Sequence, residues 1–355
     1  MLKIQKFDKE DRYIKDFIKI PSMIYSSSDN MEDKDSMRAI LEDRHPLSKY
    51  FKLAKFIVYD DDTPKGRFII TSYEGDLVAY IGFVEMVNDK DVAKFLFDQA
   101  YEYCKREGFS KIEGPVDASF WIKYRLKINK FEDPYTGEPY NKDYYLDLYR
   151  DNGYSVCEHY VSNAFQSVDE TYVNPKFESH YNEFISRGYE IRSPREDELD
   201  YMIDIVYDMV TALYSDFPIY KDVGKEDFHE VFSSFKKIMN LSMTKIAFFE
   251  GKPAGFYVSV PDYGNRVYHT ANPLNIMKIL KLKKNPERYV MLYMGVYPEH
   301  QGLGKALVYS VMKELMASGL PSIGSLIRDG KLTGTYATEK IEDVYEYVLL
   351  ERTIE

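Results

Sequence analysis

With 355 residues the chain exceeds what one hydrophobic core usually organises, so two domains are expected. Its apolar fraction of 45% and charged fraction of 30% are those of an ordinary globular protein, and a net charge of −11 speaks against a nucleic-acid partner. No apolar run approaches the ~18 residues that cross a membrane. The first 17 residues lack the apolar centre of a signal peptide. Cys104 and Cys157 are the only cysteines, too few for a disulfide framework, and fit a reducing cytoplasm. A cytoplasmic location without a membrane partner is therefore expected. Of the 33 tyrosines, most are expected as half-buried packing residues whose hydroxyls reach water.

In chain order, "FIVYDDDTPKGRFIITS" (56–72) reads as a hairpin-like pair of strands and "LVAYIGFVEM" (77–86) as a third strand. "DKDVAKFLFDQAYEYCKREG" (89–108) is an amphipathic helix ending at a glycine. "KIEGPV" (111–116) is the next strand, and a loop at about 118–142 separates it from "YYLDLYRDNGYSVCEHYVS" (144–162). Strand patterning lapses over 166–186, which is read as a linker. This gives domains at 1–165 and 187–355.

The second half repeats the plan. An edge strand at 189–192 precedes a helix with Met202, Ile205, Val206, Met209, Val210 and Leu213 on one face. "KIAFFE", the turn "GK" and "PAGFYVSV" form a hairpin (245–260). "YVMLYMGV" (289–296) is a buried strand. Leu307, Val308, Val311, Met312, Leu315 and Met316 recur at helical spacing, and Gly319 stands where a C-terminal glycine cap belongs. "SIGSLI" (322–327) and "YEYVLLERTI" (345–354) read as the last strands of this half.

Between the strand and the helix lies "PEHQGLGKA". It is not a P-loop, since Ala306 follows Gly304-Lys305 and Glu299 stands five positions before Gly304. Nor is it a dinucleotide fingerprint, because Leu307 occupies the third glycine position. A glycine turn that enters a helix is still a natural anion cradle. A plain tight turn remains the alternative.

Val296-x-Pro298-x-x-Gln301-Gly302-x-Gly304-x-Ala306 resembles the acetyl-CoA signature of the GNAT N-acetyltransferase superfamily, [QR]-x-x-G-x-[GA] after a strand ending V-x-P. The element order of both halves is similar to that of a GNAT domain. Gly114-Pro115 and Tyr140-Asn141-x-x-Tyr144-Tyr145 resemble features of tandem GNAT-like bacterial proteins. The resemblance implies two GNAT-like domains of α/β class, each a twisted mixed sheet flanked by helices. It implies acetyl-CoA as cofactor, bound through Gly295, Val296, Gln301, Gly302, Leu303, Gly304, Lys305 and Ala306. Its activity would be N-acyl transfer, most simply of acetyl, to a small-molecule or peptide amine. The first half has no such turn, and Asp89 and Asp91 would repel a diphosphate at its helix, so one cofactor site is expected.

Tyr336 falls where the family places its general acid, although the glycine-aromatic pair after that helix is missing; a packing role is the alternative. No glutamate stands in "YVMLYMGV" to serve as the base. Tyr293 and Asp262 are candidates, and Glu299 and His300 sit in the turn. Glu85 reads as a strand-end charge and Arg67 as structural. The segment 275–284 reads as a solvated helix face, or as a guide for the CoA 3′-phosphate or an acidic acceptor. The six histidines show no metal-ligand spacing. Two further readings are a CoA-binding sensor without turnover and a FemX-like aminoacyltransferase. The latter is disfavoured by the acidic surface.

Overall fold

The computed structural model describes residues 1–355, the side chain of Leu332 excepted. It divides into two compact units. The first comprises Met1–Pro134, Glu138–Tyr160 and Tyr345–Glu355; the second comprises Tyr135–Gly137 and Val161–Val344.

The first unit contains β1 (Leu2–Phe7), α1 (Asp11–Lys19), α2 (Pro21–Ile24), α3 (Lys34–Leu41), β2 (Lys52–Asp60), β3 (Thr63–Ser72), β4 (Val78–Met86), α4 (Lys90–Arg106), β5 (Lys111–Gly114), the short β6 (Val116–Asp117), β7 (Lys123–Tyr124) and β8 (Leu126–Lys127), and α5 (Tyr145–Asp151). The strand β9 (Ser155–Phe165) follows at the passage to the second unit. That unit holds α6 (Pro175–Ser186), β10 (Tyr189–Arg192), α7 (Leu199–Tyr214), α8 (Lys225–Phe232), β11 (Lys245–Phe249), β12 (Lys252–Pro261), α9 (Pro273–Lys284), β13 (Tyr289–Val296), α10 (Leu303–Ser318) and β14 (Ser322–Arg328). The last strand is β15 (Ile341–Thr353).

Strand pairing is mixed within each unit. In the first unit the order is β1-β2-β3-β4-β5-β15, antiparallel except for β4 and β5. In the second it is β14-β13-β12-β11-β10, antiparallel except for β13 and β14. The single parallel junction in each follows from the intervening helix, since a strand–helix–strand connection returns in the same direction. In the first unit that helix is α4, capped by Asp89, whose carboxylate accepts the N–H groups of Asp91 and Val92. Its apolar stripe, Val92, Ala93, Leu96, Phe97, Ala100 and Cys104, is buried on the sheet. In the second unit the helix is α10, which buries Leu303, Ala306, Leu307 and Val311 against Ala247 and Ala254.

The elements read from the repeat are present, β13 and β10 with the same bounds. Four differences stand out. Residues 1–55, unread in the sequence, supply β1 and α1–α3. The stretch 166–186, read as linker, contains α6, started by Asn174 as cap and Pro175 as first residue. After β14 the described residues form no α-helix but 3₁₀ turns at Leu332–Thr335 and Thr338–Lys340. The strand at 345–354, read as the end of the second half, belongs to the first unit. There Leu350, Glu351, Arg352 and Thr353 pair with Gly114, Glu113, Ile112 and Lys111. A buried polar group fixes it: the Tyr347 hydroxyl donates to Glu138 Oε1 at 2.5 Å, and the same oxygen takes Lys127 Nζ at 2.5 Å. Neither ionic side chain is exposed at all. Alternating hydrophobicity identifies a strand but not its partner, and for this strand the partner is set by long-range pairing.

Candidate functional site

The candidate site is built where β13 leaves β14. Tyr289, Val290 and Met291 pair with Ser322, Ile323 and Gly324; among the described residues no pairing joins the two strands beyond Met291. On its other edge β13 stays paired with β12 as far as Val296, with an irregularity between Val258 and Ser259. The second half of β13, which runs toward the glycine turn, therefore has no β14 partner.

Packing and backbone geometry account for the glycines there. Gly295 lies opposite Phe256 in the β12 register; a Cβ on it would meet Phe256 at 2.5 Å and Leu213 at 3.0 Å. Gly302 caps α10 at φ 96°, a left-handed conformation that side chains resist. Gly304 is buried, and a Cβ there would lie 3.6 Å from both Met294 Cε and the Tyr336 hydroxyl. That space admits a methyl group and little more.

The first turn of α10 carries no acidic residue. Its N-terminal N–H groups and helix dipole favour an anion. Lys305 is half-buried in this turn, with Nζ 3.4 Å from His180 Nε2 on α6. His180 Nδ1 lies 2.9 Å from the Lys176 carbonyl, which only accepts, so the ring proton sits on Nδ1 and Nε2 faces the ammonium as acceptor. Val296, Gln301, Leu303 and Ala306 stand on the same strand–turn–helix segment; Gln301 is exposed, and Leu303 and Ala306 are buried in the core.

Helix α6 borders this turn. Phe184 lies 3.6 Å from the Cβ position of Gly302, Tyr181 packs on Tyr309, and Phe177 meets the Tyr336 ring edge-on at 5.3 Å. The sequence reading missed α6 and His180, although the Asn174-Pro175 start and the 177/181/184 aromatic spacing signal a helix. Tyr336 follows the 3₁₀ turn and is half-buried; burial pushes its hydroxyl above the ordinary tyrosine value. It is thus protonated at neutral pH and lies beside Gly304.

Two of the charged or titratable groups considered as bases, Asp262 and His300, are engaged elsewhere. Asp262 pairs with Arg288 through Oδ2 at 2.9 and 2.5 Å, while Oδ1 accepts the N–H groups of Thr136 and Gly264. This is a structural clamp. His300 bonds the Tyr189 hydroxyl through Nδ1 at 2.8 Å and packs against Phe249. Glu299 is exposed in the turn, and Tyr293 is 41% exposed on β13. Cys104 and Cys157 are free, but burial pushes both thiols up to about 12, so neither is a thiolate at neutral pH.

In the first unit the corresponding opening is filled. β4 and β5 pair from Val78 to Tyr80, and β6 then runs beside β4. A Cβ on Gly82 would meet the Val116 carbonyl oxygen at 1.8 Å, and the Phe83 N–H donates to Asp117 Oδ1. Glu85, at the end of β4, accepts the Tyr25 and Tyr145 hydroxyls at 2.8 and 2.6 Å, and burial raises its carboxyl. Arg67 is buried against Glu32 and the Phe17 carbonyl.

No family model matches the sequence, and no curated protein resembles it in sequence. Solved structures do resemble it in fold. A tandem GNAT protein from the clavulanic acid biosynthesis pathway aligns over 100% of this chain and 99% of its own, with a TM-score of 0.56 and 10% identity. This is the tandem GNAT fold. A probable N-acyltransferase from Enterococcus faecalis aligns over 100% of the chain and 73% of its own (TM-score 0.52, 9% identity). A GCN5-related N-acetyltransferase from Anabaena variabilis covers 99% and 73% (TM-score 0.52, 7% identity). The end of β13 and the turn before α10 lie on the segment that carries the acetyl-CoA-like signature.

Proposed function

We propose that the second unit transfers an acyl group, acetyl in the simplest case, from acyl-CoA to an amine. The observation that carries this reading is the 301–306 signature at the start of α10, fed by a β13 that has just parted from β14. The N–H groups of the turn and Lys305 would hold the diphosphate. Main-chain groups near Gly295 and Val296 would hold the acyl-carrying arm. Fold neighbours described as N-acetyltransferase and probable N-acyltransferase support the reaction class.

In such a transfer the amine nitrogen bonds the thioester carbon, the carbon–sulfur bond breaks, the amine loses a proton and the thiolate gains one. Tyr336, held protonated by burial, is the proposed donor to the thiolate. With Asp262 committed to Arg288, water is the proposed acceptor of the amine proton. The test is thiol release from acetyl-CoA across a panel of amines. Release that depends on the amine is expected. Tight CoA binding with no release for any amine would favour a sensor without turnover.

A further inference from the structure

The two units differ in the length of one connection. Between β3 and β4 the first unit needs only residues 73–77, whereas between β12 and β13 the second inserts residues 262–288. The insertion is closed at its base by the Asp262–Arg288 ion pair and contains α9. Connections of this length are uncommon unless they serve a purpose.

Helix α9 is apolar on two sides. Ile279 faces inward and is buried, which suffices to seat the helix. Facing solvent are Leu274 (65% exposed), Met277 (67%), Leu280 (62%) and Ile276 (44%). Beside them Lys278, Lys281 and Lys284 recur at three-residue spacing, all exposed. Among the described residues none of these three pairs with a carboxylate, and the helix itself carries no acidic residue. In a chain of net charge −11 this is a local cationic, apolar ridge.

We propose that α9 is an interfacial helix that docks on an anionic lipid bilayer, with its outward apolar side chains at the acyl boundary and its lysines at the headgroups. Three features select this occupant. The lysines complement anionic headgroups. A second copy seated helix to helix would bring like charges together. Side chains about two-thirds exposed project into solvent and suit a deformable surface, whereas a helical peptide partner needs a groove. Long lysine side chains also reach past neighbouring apolar groups to the polar layer. No helix among the described residues is long and apolar enough to cross a membrane, so the association is peripheral. This revises the sequence reading of the segment as a solvated face and of the protein as lacking a membrane partner. It is independent of the acyl-transfer proposal.

The experiment is flotation of the full chain with phosphatidylcholine vesicles, with and without phosphatidylglycerol. Binding is expected only to the anionic vesicles and is expected to weaken with salt. Combined Lys278→Gln, Lys281→Gln and Lys284→Gln should weaken it at least about tenfold. Combined Leu274→Ser, Met277→Ser and Leu280→Ser should abolish it with an unchanged Tm. Absence of flotation by the wild type, equal binding to both vesicle types, or undiminished flotation of the serine variant would each overturn the proposal. So would self-association in sedimentation that the serine variant removes while flotation is absent, since the ridge would then join two copies.

Discussion

The same strand–helix–strand plan is built twice in this chain, and the two copies treat the gap beside their fourth strand differently. In the first unit the gap is closed by the chain itself. Val116 sits where a Gly82 side chain would be, and Asp117 takes the Phe83 N–H. In the second unit β13 separates from β14 after Met291 and runs into a glycine turn. One copy has the acidic cap Asp89 at its helix start, while the other has Gly302 with no acid in the first turn. The comparison teaches that the fold tolerates either filling. What distinguishes a ligand site from a packed core here is a handful of residues at one strand end and one helix start.

The largest effect expected from breaking this comparison concerns β15. Although it follows the second unit in sequence, its buried Val348, Leu349 and Leu350 complete the first unit. Ending the chain at Val344 exposes these contacts, each worth about 1.5–3 kcal/mol for a fully buried aliphatic side chain. It also deprives the buried Lys127–Glu138 pair of the Tyr347 hydroxyl. The total is comparable with the ~5–15 kcal/mol that holds a domain folded. Hydrogen exchange on the truncated chain should show the first unit losing protection while β11–β13 keep theirs. Loss of protection in the second unit first would contradict the assignment of β15.

Next in size is the cofactor turn. Gly304→Glu places a carboxylate where the diphosphate is proposed and crowds Met294 and Tyr336. Binding of CoA should fall at least about a hundredfold, since charge repulsion adds to steric exclusion. Gly304→Ala, whose methyl fits at ordinary contact distance, controls for folding and should bind nearly as wild type. Calorimetry with acetyl-CoA should give one site per chain, because the gap in the first unit is filled. Two sites would show that Val116–Asp117 gives way to a ligand.

Much of this was legible in the sequence, and the reasons are local. The short continuous apolar run of β13 and the 3.6-residue stripe of α10 specify their own conformations. The signature at 301–306 concerns neighbours in sequence, so it needs no knowledge of the fold. What was not legible depends on distant pairing. Nothing in "YEYVLLERTI" states that Leu350 will lie opposite Gly114. The filling of the first gap rests on Asp117, an ordinary loop aspartate until its carboxylate is seen against the Phe83 N–H. Asp262 read as a possible base because its partner, Arg288, lies across the inserted connection. Helix α6 was the avoidable omission, since Asn174-Pro175 marks its start.

The smallest effect expected is at Tyr336. Its hydroxyl lies beside Gly304, its ring packs edge-on to Phe177, and burial keeps it protonated at neutral pH. A protonated hydroxyl on a ring held by packing has the properties of a proton donor. They are also the properties of a packing residue, and Tyr336→Phe separates the two because the ring and its contact with Phe177 are retained. Positioned acids contribute roughly 10²–10⁴-fold to rate, and water partly substitutes when one is removed. A fall in kcat of at least about tenfold is therefore expected, with CoA affinity and Tm nearly unchanged. Loss confined to kcat marks an interaction made in the transition state and not in the bound complex. The sign of the pH dependence follows from the raised hydroxyl: the wild type should keep its rate as pH rises through the ordinary tyrosine range and lose it only above. An unchanged kcat in the phenylalanine variant, on an amine that is turned over, would make Tyr336 a packing residue and assign the proton to water.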